Sequence, residues 1–197
     1  IYEGTRQSGQ TNGFIYNPEV FEVTEPGGVF YLRDNYNESG NSWDGYLRTA
    51  QYVTLKHKSS GKYIFFINTH YPLSWTNCEK ASAVVEERIA ALNTNKYPVI
   101  MVGDFNCTRG SGAFASIMNS MNDAATFADD CYSDENRGLY TYNAYGDENE
   151  ARFRLDHIWY SKALDAKYYE VLTQEIRKYG DVDYLSDHYP ITAIIEL

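Results

Sequence analysis

Positive charge is scarce in this chain. Its 197 residues carry 17 Lys and Arg against 27 Asp and Glu, a formal net charge of −10. No Lys/Arg cluster interrupts that balance. A diffuse acidic surface repels polyanions, which argues against tight non-specific nucleic-acid binding. A bound divalent cation would change the local sign. Cysteine is scarce too, with three residues at Cys78, Cys107 and Cys131. They form no CxxC or Cys/His spacing, which excludes a zinc site. At most one disulfide is available, and the plainer expectation is three small buried side chains. No apolar run reaches the length of a membrane span, and no signal peptide opens the chain. There is no internal repeat, low-complexity tract or linker, so one domain with a proper core is expected over 1–197. The chain opens on "IYEGTRQSGQ" without an initiator Met, which suggests removal of something upstream. Tyrosine is abundant, with 19 residues. With few lysines, this tilts the expectation towards a secreted or extracellular protein.

One stretch asks a chemical question. "VIMVGDFNCTRGSG" drives a buried-looking strand straight into Gly, Asp, Phe and Asn. Turn formation accounts for the residue types but not for their order. Asp104 and Asn106 are two apart, so in an extended segment they share a face. An acid and an amide together at a strand tip look like a site, and the pair is expected to be functional rather than turn-forming.

The rest of the chain supplies company. "FIYN" and "VFYL" read as short strands joined by a turn at "EPGG". Residues 33–46 read as a loop. "TAQYVTLKH", "SSG" and "KYIFFINTH" read as a hairpin. "CEKASAVVEERIAALNTN" places Ala81, Val84, Val85, Ile89 and Leu92 on one helical face. "GAFASIMNSM" reads as a second helix and 129–150 as a loop. "FRLDHIWYS", "YYEVLTQEI" and "YPITAIIEL" read as strands. This pattern predicts an α/β or α+β domain, with mixed sheets inside and helices outside.

Four strand ends carry polar tips. They are His70 in "FFINTH", Asp104 and Asn106 in "VIMVGDFN", Asp156 in "RLDHIW", and Asp187 with His188 in "YLSDHYPI". Each alone reads as a turn or solvated residue; their combination reads as a site. His157 should point away from Asp156 and be structural. His57 sits beside the hairpin turn, and Glu86 and Glu87 lie on the solvent face of their helix. Tyr71 and Trp75 either line a cleft or cap the core.

The motifs "INTH", "VGDFN", "LDHI" and "SDHYPI", in this order and spacing, resemble those of the endonuclease/exonuclease/phosphatase superfamily. The resemblance runs from about Gly9 to Leu197. "FIYNPEVFEV" and "SWDGYLRTAQYVTL", with Arg48, are similar to the family's preceding strands. The resemblance implies a four-layer α/β sandwich with two mixed sheets inside and its first strands missing. It implies a metal-dependent phosphoesterase acting by water attack. Hard oxygen donors suit Mg2+, with Mn2+ or Ca2+ as alternatives. In that scheme Asp104 orients or deprotonates water, and Asn106 and His188 contact the phosphate. Asp156 holds His188, and His70 serves the leaving group or a non-bridging oxygen. Arg48 grips phosphate, and Asp187 and Asp104 lie by the metal.

Two departures from the family stand out. Nothing before Gly9 supplies its opening strands or the Glu that ligates its metal, so an N-terminally truncated domain is expected, with weak metal affinity and little or no hydrolysis by residues 1–197 alone. Gln10 stands where the nuclease members pair a Glu with the His of "NTH". The expected substrate is a small-molecule, lipid-headgroup or sugar phosphate, with no stable nucleic-acid complex and a monomeric chain. A nuclease of the same fold, or an inactive binding module, are the alternatives.

Overall fold

The computed structural model describes residues 12–132, 139–147, 149–150, 152–173, 177–179 and 182–197. The expectations that rest on Gln10 and on the first eleven residues fall outside them. The strands are β1 (Phe21–Tyr31), β2 (Thr49–His57), β3 (Tyr63–His70), β4 (Val99–Asp104), β5 (Met121–Asp123), β6 (Asp130–Tyr132), β7 (Asp156–Ser161), β8 (Asp165–Val171), β9 (Arg177–Tyr179), β10 (Val182–Tyr184) and β11 (Ile191–Glu196). The α-helices are α1 (Trp75–Leu92), α2 (Ile117–Ser120) and α3 (Ala124–Phe127).

A six-stranded sheet runs β1-β2-β3-β4-β7-β5, and a three-stranded sheet runs β11-β8-β6. Both are mixed: β3 is parallel to β4 and β6 to β8, and the other pairs are antiparallel. β9 and β10 form a separate two-stranded ribbon.

The apolar runs follow from burial on both faces of the larger sheet. Val99 and Met101 of β4 point into one core with Phe65, Ile67, Trp159 and the α1 residues Ala81 and Val85. Ile100 and Val102 point the other way, into a core shared with Tyr169 and Val171 of the smaller sheet. Period-two alternation in a strand covered on both sides leaves no polar position. α1 and α2 therefore layer onto one face of the larger sheet and the smaller sheet onto the other, an α+β sandwich. The short α3 adds Ala124 and Ala125 to the core between the sheets. Among the described residues, no helix is long and apolar enough to cross a membrane.

Several elements differ from the sequence expectation. "EPGG" is no turn; it lies inside β1, where register shifts at Val23/Glu25 and Glu25/Gly28 bulge the strand. A Cβ on Gly27 would sit 2.4 Å from the Tyr52 carbonyl oxygen, so the glycine permits close strand approach. "FIYN" makes a single bridge at Phe14, because the chain turns at Asn17, whose carbonyl accepts from Val20 and Phe21. The second helix shrinks to one turn. Gly112, at φ 85, breaks it, and Ala113 and Phe114 plug the core. Cys78 and Cys107 are buried as expected, but joined in a disulfide; Cys131 is free and exposed.

Candidate active site

Strand register explains why the polar tips meet. His70 pairs with Asp104 across β3 and β4, and Asp104 pairs with Asp156 across β4 and β7. The three residues form one row over adjacent strand ends, spaced by the interstrand distance of about 4.8 Å. Gly103 lets the row close. It adopts φ 143, and a Cβ there would lie 1.9 Å from the Thr69 carbonyl oxygen.

The fourth member arrives from the C-terminal segment. Tyr142 bridges to His188, and the Asp187 carbonyl accepts from the Asn143 and Ala144 N–H groups. This seats His188 over the row, its ring edge-on to Tyr142. His188 Nδ1 lies 2.6 Å from Asp156 Oδ2, and its Nε2 lies 3.9 Å from Asp104 Oδ2. Burial alone would lower the His188 pKa. The hydrogen bond to Asp156, and the charges of Asp156, Asp104 and Asp187, override burial and raise it to about 9. His188 is therefore an imidazolium near neutral pH, with a hydrogen on each nitrogen, the Nδ1 one donated to Asp156. For Asp104, burial pushes the pKa up, but His70, His188 and the Asn106 N–H outweigh it and hold the carboxyl below its ordinary value.

His70 has conflicting neighbours. Its Nε2 lies 2.6 Å from Arg48 Nη1 and 3.2 Å from Asp104 Oδ2. Arg48 only donates and the carboxylate only accepts, so one nitrogen cannot serve both at once. With its hydrogen on Nδ1 alone the ring accepts from Arg48 at Nε2; with a hydrogen on Nε2 it donates to Asp104. Arg48 is itself buried, with Nε 3.0 Å from Asp44 Oδ2. The polar chain therefore runs Asp44, Arg48, His70, Asp104, His188, Asp156. Asp44, whose Oδ2 also accepts from the Leu73 N–H, was not singled out from sequence. Its four-residue spacing from Arg48 was the available signal, but it falls in a loop.

Asn106 departs from simple alternation. β4 ends at Asp104, and Asn106 takes a left-handed conformation at φ 49. Asp104 Oδ1 accepts the Asn106 N–H at 2.8 Å, so Asp104 forms the turn as well as facing the histidines. Asn106 Nδ2 donates to the Tyr71 carbonyl at 2.8 Å. Tyr71 caps the core against Phe105, while Trp75 is solvent-exposed. His57 closes its hairpin turn through Ser60 Oγ.

The family's sequence profile, described as the endonuclease/exonuclease/phosphatase family, matches residues 4–188. The chain belongs to this family. Among solved structures it is similar to a mannosyl-6-phosphatase from Bacteroides thetaiotaomicron, with 25% identity and a TM-score of 0.79 over 92% of this chain and 69% of that one. A family protein from Bacteroides vulgatus matches with 24% identity and a TM-score of 0.77, over 92% and 68%. Truncated TDP2 from Caenorhabditis elegans matches with 20% identity and a TM-score of 0.68, over 91% and 68%, and shares the fold. No curated protein sequence matches significantly.

The family is generally metal-dependent, and the donors here suit a hard cation in part. Ligand atoms of Asp104, Asp156 and His188 lie within 4.8 Å of one another, which makes a possible metal site. Carboxylate oxygens suit such an ion. Asp104 and Asp156 offer carboxylate oxygens and His188 an imidazole nitrogen. Asp187 is outside this trio; its Oδ1 lies 3.5 Å from Ser186 Oγ, and its charge reaches His188.

Proposed function

We propose that this chain is the catalytic domain of a Mg2+-dependent phosphoesterase that hydrolyses a sugar, lipid-headgroup or other small-molecule phosphoester by water attack. The observation that carries the proposal is Asp104 Oδ2 placed between His70 and His188, with Asp156 behind His188. A carboxylate held ionised accepts a hydrogen bond from water and aligns it for attack. An imidazolium beside it donates to phosphoryl oxygens as their charge grows. Asp156 keeps that imidazolium oriented and charged. Asn106 Nδ2 carries two hydrogens; one is used on Tyr71, and the other serves a phosphoryl oxygen. His70 Nε2 lies within reach of both Arg48 and Asp104, which suits proton delivery to the leaving oxygen. Arg48 acts here on His70, its guanidinium being buried behind the row.

A divalent ion, held by the carboxylates of Asp104 and Asp156 with the charge of Asp187 nearby, would neutralise phosphate charge and ease water ionisation. The net charge of −10 favours a small phosphoester over a polynucleotide. The neighbouring mannosyl-6-phosphatase supports the same class. The Cys78–Cys107 disulfide supports an oxidising, extracytoplasmic compartment.

The test is phosphate release from a panel containing mannose 6-phosphate, glycerophosphodiesters, bis(p-nitrophenyl) phosphate and single-stranded DNA, with Mg2+ or EDTA. Turnover of the small esters with Mg2+ supports the reading. Preferential DNA cleavage would replace it with a nuclease, and no turnover of any ester would leave a binding module.

A further inference from the structure

His157 takes no part in the scheme above, yet it is fully buried beside the site. It follows Asp156 on β7, so its ring enters the opposite face of the sheet. There it packs among Phe105, Phe114 and Trp159. A polar ring in such a setting is costly unless its nitrogens have partners. Nε2 lies 2.9 Å from the Cys107 carbonyl oxygen. A carbonyl only accepts, so Nε2 carries the hydrogen. Nδ1 has no hydrogen-bond partner among the described residues; the Asp123 carboxylate stands opposite it, with Oδ1 3.8 Å away. Asp123 is also fully buried. Arg154 grips it at both oxygens, at 2.9 and 2.7 Å. A carboxylate pinned by a two-point guanidinium contact is a fixed wall for the imidazole.

The group His157 holds is one residue from Asn106. Asn106 sits in the left-handed region at φ 49, which Asn tolerates better than most residues and which the bonds around it hold in place. The bonds are on both sides. The Phe105 N–H donates to the Leu155 carbonyl at 2.8 Å, and the Asn106 N–H to Asp104. Cys107 is tied to α1 by the disulfide and to β7 by the His157 bond. We propose that His157, held by its aromatic neighbours, is a positioning residue that fixes the Cys107 carbonyl and thereby aims the Asn106 amide at the reacting phosphoryl group. Consecutive residues of β7 then brace the site from opposite faces: Asp156 holds His188, and His157 holds Asn106. The inference rests on the proposed role of Asn106 as phosphate donor.

Two polar substitutions separate this role from packing. Gln at 157 places its amide near the Nε2 position and still reaches the Cys107 carbonyl. Asn places its amide near Nδ1, facing Asp123, and falls short of Cys107. The full chain carrying His157→Gln, His157→Asn, Asn106→Ala or His157→Asn with Asn106→Ala is assayed on bis(p-nitrophenyl) phosphate with Mg2+, well below each melting temperature. The Asn106 side-chain amide is followed by NMR. We expect His157→Asn to lower kcat by about 10–100-fold, with KM changed by under about threefold, and to shift the Asn106 amide signals. His157→Gln should restore both. In the Asn106→Ala background, His157→Asn should lower kcat by less than about twofold further, since the group it aims is gone. Unchanged kcat and Asn106 signals in His157→Asn, whatever its melting temperature, would overturn the proposal. So would losses that simply multiply in the double variant. If the wild-type chain hydrolyses no phosphoester, the functional reading fails, while the NMR comparison still decides whether His157 positions Asn106.

Discussion

Asp104 uses its two oxygens differently: Oδ1 accepts the Asn106 N–H and Oδ2 faces two imidazoles. Replacing it with Ala should therefore abolish hydrolysis and also remove a turn bond, at about 1 kcal/mol. Turnover against a thermal melt checks both; retained activity with a large stability loss would reduce Asp104 to a turn residue. His188 carries the pH dependence. Its pKa rises from an unfolded value near 6.5 to about 9 in the fold. The associated stabilisation is full below about pH 6.5 and lost as pH rises through about 9. If its imidazolium donates to phosphate, the rate should fall over the same upper limb. Asp156→Asn removes the partner that raises the pKa, so that limb should move down towards neutrality in a pH–rate profile. At this scale the sequence was informative about identity and weak about geometry. Spacing and strand ends picked out His70, Asp104, Asp156 and His188. Asp44 and the buried Asp123–Arg154 pair were missed, because a loop acid and a core ion pair have no periodicity to betray them.

β4 shows how elements deliver these side chains. Its parallel pairing with β3 and antiparallel pairing with β7 put three polar tips in register, and Gly103 lets the backbones approach. Gly103→Ala brings a methyl against the Thr69 carbonyl and forces φ 143 on a residue with a Cβ. A loss of more than about 3 kcal/mol in denaturant unfolding is expected, and activity should vanish with the distorted row. The disulfide ties α1 to the segment after β4 with a separation of 29 residues. Loop-closure entropy gives it about 3–4 kcal/mol, so reduction or Cys78→Ser with Cys107→Ser should lower the denaturation midpoint accordingly. Strong patterns were legible at this scale: the β2–β3 hairpin, α1 and the β4 run all lie where alternation or helical spacing puts them. "EPGG" misled because glycine serves close approach in a bulged strand as readily as it serves a turn. The disulfide was illegible because its partners sit on a helix and after a strand, and only the tertiary fold brings them together.

At the scale of the molecule, two mixed sheets packed face to face carry the row, and the chain as a whole is acidic. With a net charge of −10, association with an anionic ester should be slowed at low ionic strength. KM for such a substrate should then fall as salt rises towards about 0.15 M, whereas a basic nucleic-acid-binding surface would give the opposite trend. The sheet content was readable from sequence because both faces of β4 are buried; which phosphoester enters the site was not, because surface loops shape that choice. The most direct test of the account compares wild type with Asp104→Ala for phosphate release from mannose 6-phosphate and bis(p-nitrophenyl) phosphate, with Mg2+ and with EDTA. Turnover by the wild type that Mg2+ supports and EDTA abolishes is expected, and none by Asp104→Ala despite an unchanged circular dichroism spectrum. Equal rates from the two proteins, or turnover indifferent to EDTA, would contradict it.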